Sequence, residues 1–238
     1  FYQELKTNPI HPKTSQPPSG DFINKFEYLS THFESVISIH IPEKLSGTLQ
    51  SCKNAIKRIK NLKVTSIDSL SASVGLGLIV KSASELSAKI NDHEKLISNI
   101  NTLIDNTQLY LTVNNLDYAI KGGRIPKVKG LIVKSLNLRP ILTTDKNGKL
   151  KAASVLFGAK NLHNKLASFV LNKIKDSAQY KFSVAHSNAE AAGNETVEFI
   201  QNNFNNIHSI DLVDMGSALG VHAGPGSFSI AIQKVINE

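Results

Sequence analysis

The sequence is poor in cysteine and in aromatic residues. Its 238 residues include one cysteine, Cys52, no tryptophan, and aromatic residues at only 6%. A single cysteine excludes an intrachain disulfide and any metal site built from several cysteines. Proteins that bind DNA or RNA usually carry a recognisable motif or aromatic side chains on which bases stack. Because neither is present, we expect no nucleic-acid partner.

Long hydrophobic runs are also missing. An apolar run such as residues 76–80 is far shorter than the roughly 20 residues that span a bilayer. Residues 1–20 contain no apolar core of the length that a signal peptide needs. These absences favour a cytoplasmic protein without stable membrane insertion.

The composition that remains is typical of a folded protein. Hydrophobic residues make up 41% and charged residues 19%, which is enough for one large core or two modest ones. The net charge is +8, and five basic residues cluster in one predicted helix: Lys53, Lys57, Arg58, Lys60 and Lys63. They would fall mostly on one helical face. That face is either a solvated surface or a docking surface for an acidic protein partner.

The first half of the chain alternates predicted strands and helices. Strand patterns occur at residues 35–41, 63–69 and 108–113, with amphipathic helices before and between them. This alternation predicts parallel strands joined by crossover helices. Sheets of this kind bind ligands beyond the carboxyl ends of their strands.

The second half has a different pattern. A short helix at 115–123 stops at two glycines, and a hairpin follows with an Asn147-Gly148 turn. Further helices and strands alternate after the hairpin, which predicts a mixed sheet. We therefore predict two α/β domains, residues 1–115 and residues 116–238.

Two hydroxyl-bearing residues lie in a stiff segment near the start. Thr14 and Ser15 stand between Pro12 and Pro17, and the prolines limit the freedom of the backbone that presents them. The segment is either an ordinary turn before a helix that Ser19 caps or a site that offers hydroxyls to a ligand.

A second hydroxyl pair follows the first predicted strand. Ser46, Gly47 and Thr48 precede a helix, and a helix N-terminus has free backbone N–H groups and a partial positive charge. The segment suits a negatively charged oxygen. Alternatively, Ser46 is only a helix cap.

Glycines mark three further segments. Gly75 and Gly77 resemble part of a dinucleotide-binding fingerprint, but the third glycine is absent, and close packing of helix on sheet explains them better. Arg124 follows the two glycines that end the predicted helix at 115–123. It is either a partner for a ligand carboxylate or phosphate, or part of a surface ion pair. His222 stands in a glycine-rich loop with Gly224, which indicates close backbone approach.

Other site types fit the sequence less well. Ser46 and His222 would form the dyad of a hydrolase or acyl transferase if the fold brought them together. No GxSxG elbow and no evident orienting carboxylate support that alternative. His186, at a predicted strand end, is interpreted as structural. The histidines lack metal-ligand spacing, so no metal is expected, and no P-loop is present.

Six segments in order resemble the DegV family, the fatty-acid-binding subunits of bacterial fatty acid kinases. They cover nearly the whole chain and read KTSQPPSGDF, LSGTLQSC, SIDSLSASVGLGLIV, LDYAIKGGRI, AHSNAEAA and GVHAGPGSFSIAI. The resemblance implies a Rossmann-like first domain and a second α/β domain with a mixed sheet. It implies a long-chain fatty acid as ligand, no cofactor, no catalysis by this chain, and an ATP-dependent kinase protein as partner. A monomer is expected.

The resemblance also assigns roles to individual residues. Thr14 and Ser46 match the hydroxyls that hold the carboxylate, His222 matches a further head-group contact, and Arg124 matches a residue near the head group or the partner surface. The predicted ligand-binding set is Thr14, Ser15, Ser46, Gly47, Thr48, Arg124, His222 and Gly224.

The chain departs from the family pattern in two places. The family begins with a strand and an acidic loop upstream of the TSQP segment, but only thirteen residues precede Thr14 here. We therefore expect either a truncated chain or part of a longer polypeptide, for example one fused to a kinase-like domain. Pro126 stands where the family often has serine.

Overall fold

The structure, a computed structural model, describes residues 1–124, 138–158 and 160–236. Within these residues the helices are α1 (Tyr2–Thr7), α2 (Ser19–Ser30), α3 (Thr48–Ile56), α4 (Ser73–Ser87), α5 (His93–Asp105), α6 (Leu116–Gly122), α7 (Leu162–Leu171), α8 (Glu190–Asn203) and α9 (Gly216–Ala223). The strands are β1 (Ser35–His40), β2 (Lys63–Asp68), β3 (Thr107–Thr112), β4 (Leu138–Thr144), β5 (Leu150–Phe157), β6 (Tyr180–His186), β7 (Ile207–Asp214) and β8 (Phe228–Lys234).

The small sheet consists of β1 and β2, which are parallel and joined through α3. Alternate side chains of β1 point to opposite faces. Val36 packs with α2 and α3 in a core around Phe26 and Cys52. Ile37 lies on the other face, in a core with α4 and α5. The predicted pair of parallel strands with a crossover helix is confirmed.

The large sheet has six strands in the order β5-β4-β3-β8-β6-β7. Only β6 and β7 are parallel, and every other neighbouring pair is antiparallel. Helices α7 and α8 cover one face, where Phe182 and Ile230 lie in the largest core cluster. The predicted fold class, α/β with a mixed sheet in the second half, is confirmed.

Helix α4 lies between the two sheets. Ile79 and Ala83 contribute to the core under the small sheet, whereas Val74 and Leu78 pack against the large one. A buried hydrogen bond from Ser82 Oγ to Gln233 Oε1, 2.6 Å long, also joins α4 to β8. Since α4 contributes side chains to the cores on both sides, the helix carries packing from one sheet to the other.

The position of β3 differs from the prediction. Residues 108–113 were expected to form a third strand of the first, parallel sheet. Instead β3 is antiparallel to β4 and to β8 inside the large sheet. The predicted domain division at residues 115 and 116 stays a prediction; the pairing of β3 favours a boundary before Thr107.

Three local predictions also need correction. The basic cluster does not lie on one helix, because α3 ends at Ile56 and Lys63 begins β2. Ser19 is the first residue of α2, and Pro18 occupies the cap position. Gly75 packs closely, since a Cβ there would lie 2.1 Å from Ser71 Oγ, but a Cβ at Gly77 would meet nothing within 4 Å.

Candidate functional site

The two sheets meet at a cavity of about 410 Å³. The loop after β1 and the segment before α2 supply one wall, and β3, β8 and α9 supply the other. Six of the eight predicted ligand-binding residues line it together: Thr14, Ser15, Ser46, Thr48, Arg124 and His222. The remaining lining is largely aliphatic and includes Leu45, Leu111 and Leu219.

Thr14 and His222 are in direct contact across the cavity. Thr14 Oγ1 lies 2.8 Å from His222 Nε2, although the two residues are 208 positions apart in the chain. Thr14 belongs to the extended segment before α2, and His222 belongs to the last turn of α9. The contact therefore joins the two walls at the polar end of the cavity.

The electrostatic surroundings of His222 keep its ring neutral at pH 7. Burial lowers its pKa below the ordinary value of 6.5, and the positive charges of Arg124 and His11 lower it further. The other ring nitrogen, Nδ1, faces the backbone of Gly122, which raises the pKa slightly, but the geometry falls short of a hydrogen bond. A Cβ at Gly122 would lie 2.2 Å from Nδ1. Only glycine therefore fits there without movement.

Ser46 and Thr48 form the second hydroxyl pair. Their oxygens are 2.8 Å apart, and the Thr48 backbone N–H donates to Ser46 Oγ at 3.3 Å. Helix α3 begins at Thr48 with Gly47 at the cap position and no side-chain cap bond. The alternative that Ser46 is simply the cap residue is therefore wrong, although its oxygen does accept one N–H of the helix entrance.

Arg124 stands at the edge of the cavity and is exposed. Its Nη1 donates to the carbonyl oxygen of Gly122 at 2.8 Å. Within the described residues no carboxylate pairs with this guanidinium, so the surface ion pair that the sequence left open is not found there. Pro126 lies outside the described residues.

The two glycines of the predicted set do not line the cavity. A Cβ at Gly47 would lie 3.0 Å from the side chain of Gln16. Gly224 ends α9 with φ +73°, and a Cβ there would lie 2.3 Å from the ring of Tyr118. Gly224 is therefore required for packing and for its backbone conformation, whereas Gly47 meets only the end of a flexible side chain.

Sequence reasoning missed several cavity residues. Ala218, Leu219 and His222 follow a helical spacing that places them on one face of α9, and Met215 directly precedes this helix. Ser73 and Ser229 also line the cavity, with their hydroxyls 2.9 Å apart. The spacing in α9 was a usable signal, but the glycines around it made the segment look like a loop.

The hydrolase alternative lacks its geometry. Within the described chain no hydrogen bond joins Ser46 to His222, whose Nε2 contacts Thr14 instead. No carboxylate orients Nδ1, which faces backbone. His186 is buried away from this cavity, accepts the backbone N–H of Ala189 at 3.4 Å and lies 3.7 Å from Asp214, as the structural interpretation expects.

The described ranges contain neither a metal-ion cluster nor a membrane-spanning helix. No group of three histidine, cysteine or carboxylate side chains is placed to hold a metal ion there. Of the helices in the same ranges, none combines the length and apolar character needed to cross a bilayer.

The chain is similar to known bacterial proteins over almost its whole length. The family model described as "Uncharacterised protein, DegV family" matches residues 1–235. A DegV domain-containing protein of Staphylococcus aureus is 32% identical over 229 residues, with coverage of 93% of this chain and 78% of the relative. One of Clostridium perfringens is 31% identical over 220 residues, with coverage of 92% and 78%.

A DegV family protein from Thermus thermophilus that binds fatty acid has a solved structure with the same fold. It superposes with a TM-score of 0.90 at 25% identity. The superposition covers 98% of this chain and 83% of that one.

Proposed function

Since the chain belongs to the DegV family, as its six motifs predicted, we propose that it binds a long-chain fatty acid in the cavity between the two sheets. The observation that carries the proposal is a largely aliphatic cavity whose lining also includes the predicted head-group residues Thr14, Ser46 and His222. The Thermus thermophilus relative, described by its fatty acid binding, supports the ligand class.

The carboxylate of the ligand would lie at the polar end of the cavity. Thr14 and Ser46 are the proposed donors to its oxygens, and Arg124 would supply positive charge nearby. His222, neutral before binding, would donate from Nε2 once Thr14 turns toward the ligand. Hydrogen bonds to a charged group contribute about 1.5–3 kcal/mol each, so this end would fix the orientation of the ligand.

The aliphatic lining would supply most of the affinity. Each buried CH₂ group is worth about 0.8 kcal/mol, so a chain of roughly fifteen methylenes would supply about 12 kcal/mol before the cost of association. The tail would hold the ligand, and the hydroxyls would decide which end faces outward.

We further propose that the chain presents this carboxylate to an ATP-dependent kinase protein. A carboxylate oxygen would attack the γ-phosphorus of ATP, ADP would leave, and an acyl phosphate would result. The partner would bring ATP and metal, and positioning would dominate the catalysis. In this role the chain itself is not an enzyme and needs no catalytic acid or base.

Native mass spectrometry of the protein purified from bacteria tests the ligand class directly. The expected result is a protein mass increased by that of a long-chain fatty acid, with the acid recovered on extraction. A protein that carries no fatty acid, and that binds none after delipidation and titration with hexadecanoic acid, would refute the proposal.

Ser46→Ala tests the head-group assignment. Loss of one charge-assisted hydrogen bond should weaken hexadecanoic acid binding by up to about 10- to 150-fold. Phosphorylation by a bacterial fatty acid kinase protein should fall further, because transfer depends on head-group position. Ser84→Ala, on the exposed surface of α4, is the matched control. Ester hydrolysis that Ser46→Ala and His222→Ala both abolish would instead establish the hydrolase alternative.

A further inference from the structure

A second cavity of about 370 Å³ lies beside the first, between α4 and strands β6 and β7. Gly77 leaves its floor open, because a Cβ at that position would meet no heavy atom within 4 Å. On the opposite side Val213 of β7 is 42% exposed, although it is a large aliphatic residue inside a strand. We call this space the α4–β7 groove.

The chemistry of the α4–β7 groove is apolar inside and charged at the rim. Val74, Leu78 and Val213 supply aliphatic surface. At the rim, Lys81 Nζ lies 2.7 Å from Asp211 Oδ2, and both side chains are well exposed. Asp214 also lines the groove, so its rim carries two carboxylates against one ammonium group and disfavours a ligand carboxylate. The aliphatic interior suits the uncharged hydrocarbon end of a ligand.

The groove and the main cavity share part of their lining. Ser73, Met215 and Leu219 border both spaces. Met215 is the only methionine of the chain, and an unbranched thioether side chain adapts readily to different neighbours. These three residues therefore form the boundary between the two spaces.

The residues at the two ends of α9 indicate how a ligand would be oriented in the main cavity. His222 stands at the polar end, in the last turn of α9, whereas Met215 precedes the first residue of α9, where Gly216 has φ +70°. The eight residues of α9 rise about 12 Å at roughly 1.5 Å per residue. An extended hexadecanoyl chain is longer than this path, so a carboxylate held at His222 directs the methyl end of a long ligand toward Met215 and the groove.

We propose that the α4–β7 groove accepts the methyl end of fatty acids that are too long for the main cavity, and that Met215 and Leu219 form the passage. This inference rests on the proposed function of the main cavity. It makes the groove a chain-length subsite for saturated acyl chains longer than those the main cavity holds alone.

Substitutions that fill the groove test this subsite. Gly77→Leu places an aliphatic side chain in the open floor, at a helical position without a positive φ. Val213→Glu places a charge in the groove from an already exposed position. The matched control is Val80→Leu, on the exposed surface of α4 and outside the groove. Thermal unfolding of each variant verifies that it is folded.

The readout is competition among acids of different length. Delipidated protein is incubated with equimolar dodecanoic, hexadecanoic and icosanoic acids supplied in phosphatidylcholine vesicles, and the bound acids are extracted and quantified. We expect both groove variants to lower the ratio of icosanoic to dodecanoic acid about tenfold or more, because several methylenes lose their burial. Met215→Ala, which widens the passage, should raise the ratio.

The outcomes separate this inference from the function on which it rests. If the unmodified protein binds these acids and the ratio stays within about twofold in both groove variants, the groove is not a tail subsite while fatty-acid binding stands. If the unmodified protein binds none of the three acids, both proposals fall. A shift in the Val80→Leu control equal to that in Gly77→Leu would also overturn the subsite.

Discussion

Strand β1 of the small sheet and the central strand β8 of the large sheet differ in how completely they are buried. In β1 only His40 is fully buried, and its other five residues are partly accessible. In β8 six of seven residues are buried. A strand covered on both faces tolerates little change in volume, because protein interiors are close-packed. The centre of the large sheet, at β6 and β8, is therefore packed more tightly than β1.

The same contrast holds in part at the candidate site. The hydroxyls of Thr14, Ser46 and Thr48 come from segments beside the small sheet, whereas α9 and β8 bring His222 and much of the aliphatic wall. The hydroxyl groups thus come from partly accessible segments. On the other wall β8 is almost wholly buried, whereas α9 is buried only at Gly220 and Val221. We interpret the small-sheet side as the half that adapts to a head group.

The largest expected effect comes from a matched pair of isoleucines, one in each sheet. Ile230→Ala removes a fully buried side chain from β8 and should lower the free energy of unfolding by about 2–5 kcal/mol. Ile37→Ala, in the partly accessible β1, should cost roughly half as much. Chemical denaturation of both variants measures the difference. Equal losses would show that the two strands are equally tightly packed.

A smaller effect is expected where the two halves touch. Gly148, at the tip of the β4–β5 hairpin, has φ +71°, and a Cβ there would lie 2.6 Å from Pro42 Cβ in the loop after β1. Gly148→Ala should therefore cost about 1–3 kcal/mol through backbone strain and the contact. Gly20→Ala, which meets nothing within 4 Å, is the control. A Gly148 variant with the melting temperature of this control would show that the hairpin tip does not press on the loop.

A third prediction concerns the partner and the charges beside the small sheet. Lys53 and Lys63 are paired with Glu43 and Glu94, which leaves Lys57, Arg58 and Lys60 without an ion pair in the described residues. If the kinase protein docks there, reversal of Lys57 and Arg58 to glutamate should slow association about tenfold and reduce its salt dependence.

The large-sheet side offers the control for that test. Lys173→Glu with Lys175→Glu changes the charge equally at exposed positions after α7. Stopped-flow association rates at several salt concentrations distinguish the two pairs. Identical rates for both double variants would place the docking surface elsewhere.

The smallest effect is a dependence of stability on pH. Burial lowers the pKa of His40 in β1, with Asp68 in partial opposition, and burial, Arg124 and His11 lower that of His222. The unfolded chain then takes up protons first, so stability should fall as the pH drops below the ordinary value of 6.5. A bound carboxylate would stabilise the protonated form of His222. It would therefore reduce the loss of stability that His222 causes at low pH, but not the loss that His40 causes.

Unfolding midpoints between about pH 8 and pH 5 test this difference. With hexadecanoic acid present, His40→Asn should reduce the fall in stability at acid pH more than His222→Asn does. The reverse order would mean that the ligand head group does not lie near His222.

The sequence predicted the crossover helices and the mixed sheet, because hydrophobic period and glycine signals are local. It did not predict the place of β3, since the run at residues 108–113 is equally suited to a parallel or an antiparallel neighbour. Which strands pair is decided by contacts distant in sequence.

The candidate site was likewise predicted only in part. Six polar lining residues were found through motifs, but Gly47 and Gly224 pack behind the wall. Met215, Leu219 and Ser73 were missed, because aliphatic and small side chains resemble ordinary core until a cavity is seen beside them. The contact between Thr14 and His222 also had no local signal, since it spans 208 positions.

That long separation has a consequence during synthesis. Ribosomes add about 5–20 residues per second, so roughly 10 to 40 s separate the translation of Thr14 from that of His222. Until then the nascent chain has one wall of the cavity without the other. A lipid in the cell therefore meets a complete enclosure only after α9 has emerged, and loading is confined to the finished fold.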